Sequence, residues 1–152
     1  MIMGKPDFVT IFEAGPRDGL QSIKDVVPTD VKVELINRLA DAGIRKIEGG
    51  SFVSPKWVPQ MADTPDVLAQ IDRKPGVTYP VLTPNMRGYE GAKANGCDEV
   101  GVFTAASESF NKRNINMSIA ESLEKIRPVC DAAKADGVAV RGYVSTVLGC
   151  PF

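Results

Sequence analysis

Short β-branched runs alternate with amphipathic segments along the whole chain, and no other feature restricts the fold as strongly. The runs expected to be strands are Phe8–Glu13, Ile44–Glu48, Val77–Leu82, Glu99–Phe103 and Val138–Val144. Between the first two, Thr29 is expected to cap a helix in which Val31, Leu35, Ile36, Leu39 and Ala42 share a face and which Gly43 ends. Further helices are expected over Thr64–Asp72 and Met86–Ala94. A long one opens at Ser118, carries Ile119, Leu123, Ile126, Val129 and Ala133 inward, and closes at Gly137. Strand–helix units of about 30 residues are the signature of βαβ connections and a parallel sheet.

Two architectures satisfy that pattern, an open doubly wound sheet and a barrel. No strand leads into G-x-G-x-x-G or G-x-x-x-x-G-K, which weakens the nucleotide-binding open sheet. The barrel is favoured because each strand ends in polar residues: Arg17 and Asp18, Glu48 and Ser51, Thr83 and Asn85, Thr104 and Ser107, Tyr143 and Ser145. Barrel enzymes collect their chemistry from several strand ends on one face. A complete (β/α)8 TIM barrel takes eight units and about 250 residues. The expectation is therefore an α/β chain holding the first five strands, with residues 1–152 as the N-terminal half of a single catalytic domain. Val9, Ile11, Ile47, Val81, Val100, Val102 and Val140 are its candidate inward residues.

Charge excludes some partners. Eighteen basic and nineteen acidic residues are interspersed, with no basic stripe to suggest nucleic acid and no apolar run long enough to span a bilayer. The first residues form neither a signal-peptide core nor an Arg-rich transit pattern, so the cytoplasm is the expected location. Cys97, Cys130 and Cys150 make no C-x-x-C, and there is no histidine. Chemistry that needs an imidazole base or ligand is thus not completed by these residues.

The segment Gly15-Pro16-Arg17-Asp18-Gly19-Leu20-Gln21 opens the loop after the first strand. At a barrel mouth Asp18 can give an oxygen to a hard divalent cation, and Arg17 can hold a substrate oxygen as negative charge develops. A local ion pair in a turn explains the same two residues equally well. Trp57, the one tryptophan, is expected to pack its loop down.

The motif resembles the opening of the 3-hydroxy-3-methylglutaryl-CoA lyase family, one branch of the metal-dependent Arg-Asp-Gly barrel lyases and acyltransferases. Ser51-Phe52-Val53-Ser54-Pro55-Lys56-Trp57-Val58-Pro59-Gln60-Met61 is the more specific match. Tyr79 to Asn85, Asn114-Ile115-Asn116, and Arg141 to Ser145 leading into Gly149-Cys150-Pro151 resemble the same lyases, so the likeness runs from Val9 to Phe152.

It implies cleavage of an acyl-CoA, 3-hydroxy-3-methylglutaryl-CoA, to acetyl-CoA and acetoacetate with a divalent metal, Mg²⁺ or Mn²⁺, in a homo-oligomer, expected as a dimer. It implies Arg17 and Glu48 as catalytic residues, Asp18 as a metal ligand, and Arg17, Gln21, Ser51 and Tyr143 as substrate contacts. The structural alternative for Glu48 is a carboxylate buried in the barrel mouth and paired with Arg17, which is compatible with that role. The family completes its metal site with a His-x-His pair and an asparagine, and adds a reactive cysteine on a mobile loop; none of these is matched here. The 152 residues alone are accordingly expected to be inactive. The alternatives are a Claisen-condensing relative and a half-barrel that serves only in binding or assembly.

Overall fold

The computed structural model describes residues 6–152. Its strands are β1 (Phe12–Glu13), β2 (Lys46–Ile47), β3 (Gly50–Ser51), β4 (Val81–Leu82), β5 (Glu99–Ala105) and β6 (Ala139–Ser145). Its helices are α1 (Thr29–Asp41), α2 (Thr64–Gln70), α3 (Met86–Ala94), α4 (Glu108–Ile115) and α5 (Ile119–Asp136). All pairing is parallel: β1 with β2 in one sheet, and β3-β4-β5-β6 in the other. The two sheets meet at Glu48-Gly49. There the Glu48 amide bonds the Glu13 carbonyl oxygen at 2.8 Å, and the Gly49 amide bonds that of Pro80 at 2.8 Å.

Six strand segments therefore stand where five strands were expected, because the stretch from Lys46 to Ser51 serves β1 with its first half and β4 with its second. The run from Phe8 is regular only over Phe12–Glu13. Val9 and Ile11 are 65% and 57% exposed and Val140 is 39% exposed, so these three do not join the core. Ile47, Val81, Val100 and Val102 are buried, and they pack with Ile36, Val67, Tyr89, Ala92, Val129 and Ala133 of the helices. Side chains alternate across a strand. The neighbouring positions Leu82, Gly101 and Tyr143 therefore lie on the opposite, concave face, together with Glu48.

Helix α1 corrects two expectations. Its N-cap is Pro28, and the Thr29 hydroxyl instead donates to Asp63 Oδ2 at 2.8 Å. Its buried stripe is Lys32, Ile36 and Ala40, flanked by the partly buried Val33 and Leu39, while Val31 is 48% exposed. A lysine can replace an apolar residue there because its amine is paired, donating to the Gln60 carbonyl oxygen at 2.5 Å and to Asp63 Oδ1 at 2.6 Å. In α5, Ser122 rather than Leu123 turns inward, its hydroxyl 2.7 Å from that of Thr104. The helix begins in a capping box between Ser118 and Glu121 and ends at Gly137, whose φ of +73° is left-handed. Helix α4 was not expected; Ser107 caps it and the buried Asn111 ties its end to the carbonyl oxygens of Met117 and Ser118.

Candidate active site

The loop after β1 folds into one wide turn, Gly15–Gly19, in which the amides of Arg17 and Asp18 converge on the Ala14 carbonyl oxygen at 3.1 and 2.7 Å. Glu13 braces it by accepting the Gly15 amide at 2.6 Å. A Cβ at position 15 would stand 2.7 Å from Glu13 Oε1, so glycine is what lets the carboxylate come this close. Pro16, in the first positions of the turn, is buried.

Arg17 meets Glu48 there. Its Nε and Nη2 both reach Glu48 Oε2 at 2.7 Å, and its Nη1 reaches Asp18 Oδ1 at 2.8 Å. Tyr143 donates its hydroxyl to the other oxygen, Glu48 Oε1, at 3.4 Å. Glu48 has no exposed surface, whereas the side chain of Asp18 is 71% exposed. Burial raises the Glu48 pKa, opposed by the Arg17 charge and by the hydrogen bonds from Arg17 and Tyr143. Tyr143 is raised too, first by burial and then by the Glu48 charge, so its phenol keeps its proton. Gly101 makes room for this meeting, since a Cβ there would stand 3.0 Å from Tyr143 Cε2.

Arg17, Asp18, Glu48 and Tyr143 are thus brought together, and the Arg17–Glu48 pairing of the structural alternative is present. Gln21 is exposed on a shelf beside Lys24 and Trp57. Ser51 is buried, its amide bonded to Thr64 Oγ1 at 3.1 Å and its hydroxyl directed to the Leu82 carbonyl oxygen at 3.4 Å. Trp57 is 86% exposed and so does not pack its loop down. Two other residues hold that loop, Gln60 and Lys32, which are 3% and 4% exposed. Gln60 lies inside the Ser51–Met61 motif, yet nothing local marks it as different from a solvated glutamine.

Deeper on the same face, Glu99 takes the Lys46 amine and the Arg141 Nε, and the Arg141 guanidinium lies 4.2 Å from the centre of the Phe12 ring. That ring meets Tyr143 edge-on, with 6.3 Å between centroids. The hydroxyl that faces Glu48 is therefore set by packing that starts at the opposite end of the strands.

For a divalent metal, Asp18 offers one hard, solvent-facing oxygen ligand, which suits Mg²⁺ or Mn²⁺. Among the described residues no three His, Cys, Asp or Glu side chains gather into a metal-holding group. Asp18 thus fits as one corner of a coordination shell.

The sequence profile of the HMGL-like family matches residues 8–149. The chain belongs to the HMGL-like family. It is 58% identical to the mitochondrial hydroxymethylglutaryl-CoA lyase of Bos taurus over 147 residues, which are 97% of this chain and 45% of that protein. It is 55% identical to the cytoplasmic 3-hydroxy-3-methylglutaryl-CoA lyase of Mus musculus, over 98% of this chain and 43% of that protein. Among solved structures, the hydroxymethylglutaryl-CoA lyase of Pseudomonas aeruginosa superposes with a TM-score of 0.94 at 54% identity, covering 97% of this chain and 49% of that one. An HMG-CoA lyase from Acinetobacter baumannii, solved with coenzyme A and 3-methylmalate, superposes with a TM-score of 0.91 at 36% identity, covering 96% and 48%. This HMGL-like chain therefore spans about half the length of the relatives it matches, and its fold is of the α/β TIM-barrel type. No helix among the described residues is long and apolar enough to cross a membrane.

Proposed function

We propose that the protein carrying this chain is a divalent-metal-dependent carbon–carbon lyase that cleaves 3-hydroxy-3-methylglutaryl-CoA to acetyl-CoA and acetoacetate. The observation that carries this reading is the Arg17 guanidinium held over the concave face by buried Glu48, beside the solvent-facing Asp18. Lyases of that name, 58% and 55% identical, support the choice of substrate.

Cleavage removes the proton of the C3 hydroxyl and breaks the C2–C3 bond. The C3 oxygen becomes the ketone of acetoacetate, and the bonding pair passes to C2 as a thioester enolate that is then protonated to acetyl-CoA. Charge builds first on the C3 oxygen. Arg17 is the chain's cation for that charge, and the two donors it rests on Glu48 keep its plane from turning. Asp18 would hold part of a divalent ion, which would supply Lewis acidity at this site. Glu48 has both oxygens occupied and acts by orienting Arg17. Gln21, Ser51 and Tyr143 are proposed as substrate contacts, with Tyr143 the one already joined to the Arg17–Glu48 group. A cytoplasmic, homodimeric protein remains part of the proposal.

The test is to incubate the full-length protein with 3-hydroxy-3-methylglutaryl-CoA and Mg²⁺ or Mn²⁺. Acetoacetate and acetyl-CoA should appear in equal amounts. Consumption of acetyl-CoA with a 2-oxo acid, and no cleavage, would mark a Claisen-condensing enzyme instead.

A further inference from the structure

The loop from Ile23 to Val27 carries neither helix nor strand, and its side chains are exposed except for a half-buried Val27. One buried side chain holds it. Gln60 Oε1 accepts the Val27 amide at 2.8 Å, and Gln60 Nε2 donates to the carbonyl oxygens of Asp25 at 3.0 Å and Ile23 at 3.3 Å. Among the described residues the one other hydrogen bond from Ile23–Val27 to the rest of the chain is local, the Ile23 amide to the Leu20 carbonyl oxygen at 3.0 Å. Gln60 is itself fixed from behind. Lys32 donates to its carbonyl oxygen and to Asp63, and Asp63 in turn accepts the Thr29 hydroxyl.

The loop continues directly from the turn that carries Arg17 and Asp18, and Gln21 lies between the turn and the clamp. The two ends of this stretch are pinned by different groups. Glu48 and Glu13 hold the turn, and Gln60 holds the far end. Gln21 stands in a turn closed by the Ile23 amide on the Leu20 carbonyl oxygen at 3.0 Å, and Gln60 braces that turn at its Ile23 end, whereas Arg17 keeps its orientation without Gln60.

We propose that Gln60 is a positioning residue for substrate binding, its amide holding the loop after the Arg17–Asp18 turn so that Gln21 meets the acyl-CoA in one geometry. The role rests on the lyase reading above. It separates binding from chemistry: loss of Gln60 weakens substrate capture and leaves the bond-breaking step, served by Arg17, almost untouched.

The experiment is a double-mutant cycle in the full-length protein, using Gln60→Met, Gln21→Ala and the pair. Methionine keeps the length and volume of the side chain and removes all three hydrogen bonds. Tyr89→Phe, which loosens a distant tie between α3 and α5, reports the effect of destabilisation alone. Gln60→Met should raise KM for 3-hydroxy-3-methylglutaryl-CoA about tenfold and leave kcat within about twofold. Gln21→Ala should add little to KM in that background, because its side chain is already out of place. The Val27 amide should exchange faster in Gln60→Met than in wild type, and Tyr89→Phe should move neither KM nor that amide.

Additive effects of the two substitutions on KM, or a fall in kcat at unchanged KM, would overturn the role. Should the wild-type protein cleave no substrate, the lyase reading falls, and the clamp is then decided by hydrogen exchange. Unchanged protection of Val27 in Gln60→Met overturns it.

Discussion

Arg17 lays two donors on one oxygen of Glu48, Nε and Nη2 each 2.7 Å from Oε2, and leaves Oε1 to the Tyr143 hydroxyl. A carboxylate without solvent contact would be costly alone, and here the guanidinium and the phenol replace its water. The same contacts fix the guanidinium plane, and Nη1 is directed to Asp18 Oδ1 at 2.8 Å.

Arg17→Lys keeps the charge and loses the planar fork. A lysine ammonium sits on one atom at the end of a flexible stem, so it cannot reproduce the two-point contact on Glu48 Oε2 that fixes the guanidinium plane. Steady-state kinetics on the full-length protein should give a kcat lower by about 10²-fold or more, with KM changed far less. A mutant showing mainly a raised KM would contradict the role.

Asp18→Ala removes the solvent-facing oxygen without disturbing the Arg17–Glu48 pair. Titration calorimetry with Mn²⁺ should show affinity reduced by at least about tenfold. Unchanged affinity would mean that Asp18 is no ligand.

Gly101→Ala tests the room left for Tyr143. The new methyl would press on the ring from 3.0 Å and drive the hydroxyl off Glu48. Overpacking of this kind costs about 1–2 kcal/mol, readable by denaturant unfolding. Turnover should fall as well, and an unshifted Tyr143 ring in a crystal of the mutant would refute the argument.

Lys32→Met leaves Asp63 without its ammonium partner and frees the Gln60 carbonyl oxygen inside the protein. Unfolding stability should drop by about 3 kcal/mol, the low end for breaking a buried pair, since Asp63 keeps partial access to water. A neutral result would show that the lysine's packing matters more than its charge.

Asp136 gives the pH dependence. Hydrogen bonds from Lys93 at 2.8 Å and Tyr89 at 2.7 Å, in that order of importance, lower its pKa from 3.8. A carboxylate depressed by folding adds stability that is present above 3.8 and is lost as pH falls through the folded value. Burial and Asp136 push Tyr89 up to about 12, so its phenol stays a donor over this range. Stability measured from pH 6 down to pH 2.5 should therefore fall less steeply in a Lys93→Met, Tyr89→Phe double mutant than in wild type.

What could be read along the chain was whatever depends on near neighbours. The alternation of Val100 and Val102 with α5's Val129 and Ala133 is periodic, and so the parallel α/β order was visible before any contact was known. The Ser118–Glu121 box, the Gly137 stop and the Arg17–Asp18 turn are also local, each completed within a few residues. Other features depend on residues far apart in the chain. Tyr143 reaches Glu48 across 95 positions and Gln60 reaches Val27 across 33, and neither side chain carries a local sign of its partner. Lys32 and Ser122 sit in helix stripes where the pattern called for Val31 and Leu123, because polar atoms from other elements meet them there. Periodicity reports where apolar surface can be buried. Whether a polar group can be buried as well depends on a partner arriving from elsewhere in the chain, and only folding brings that partner into reach.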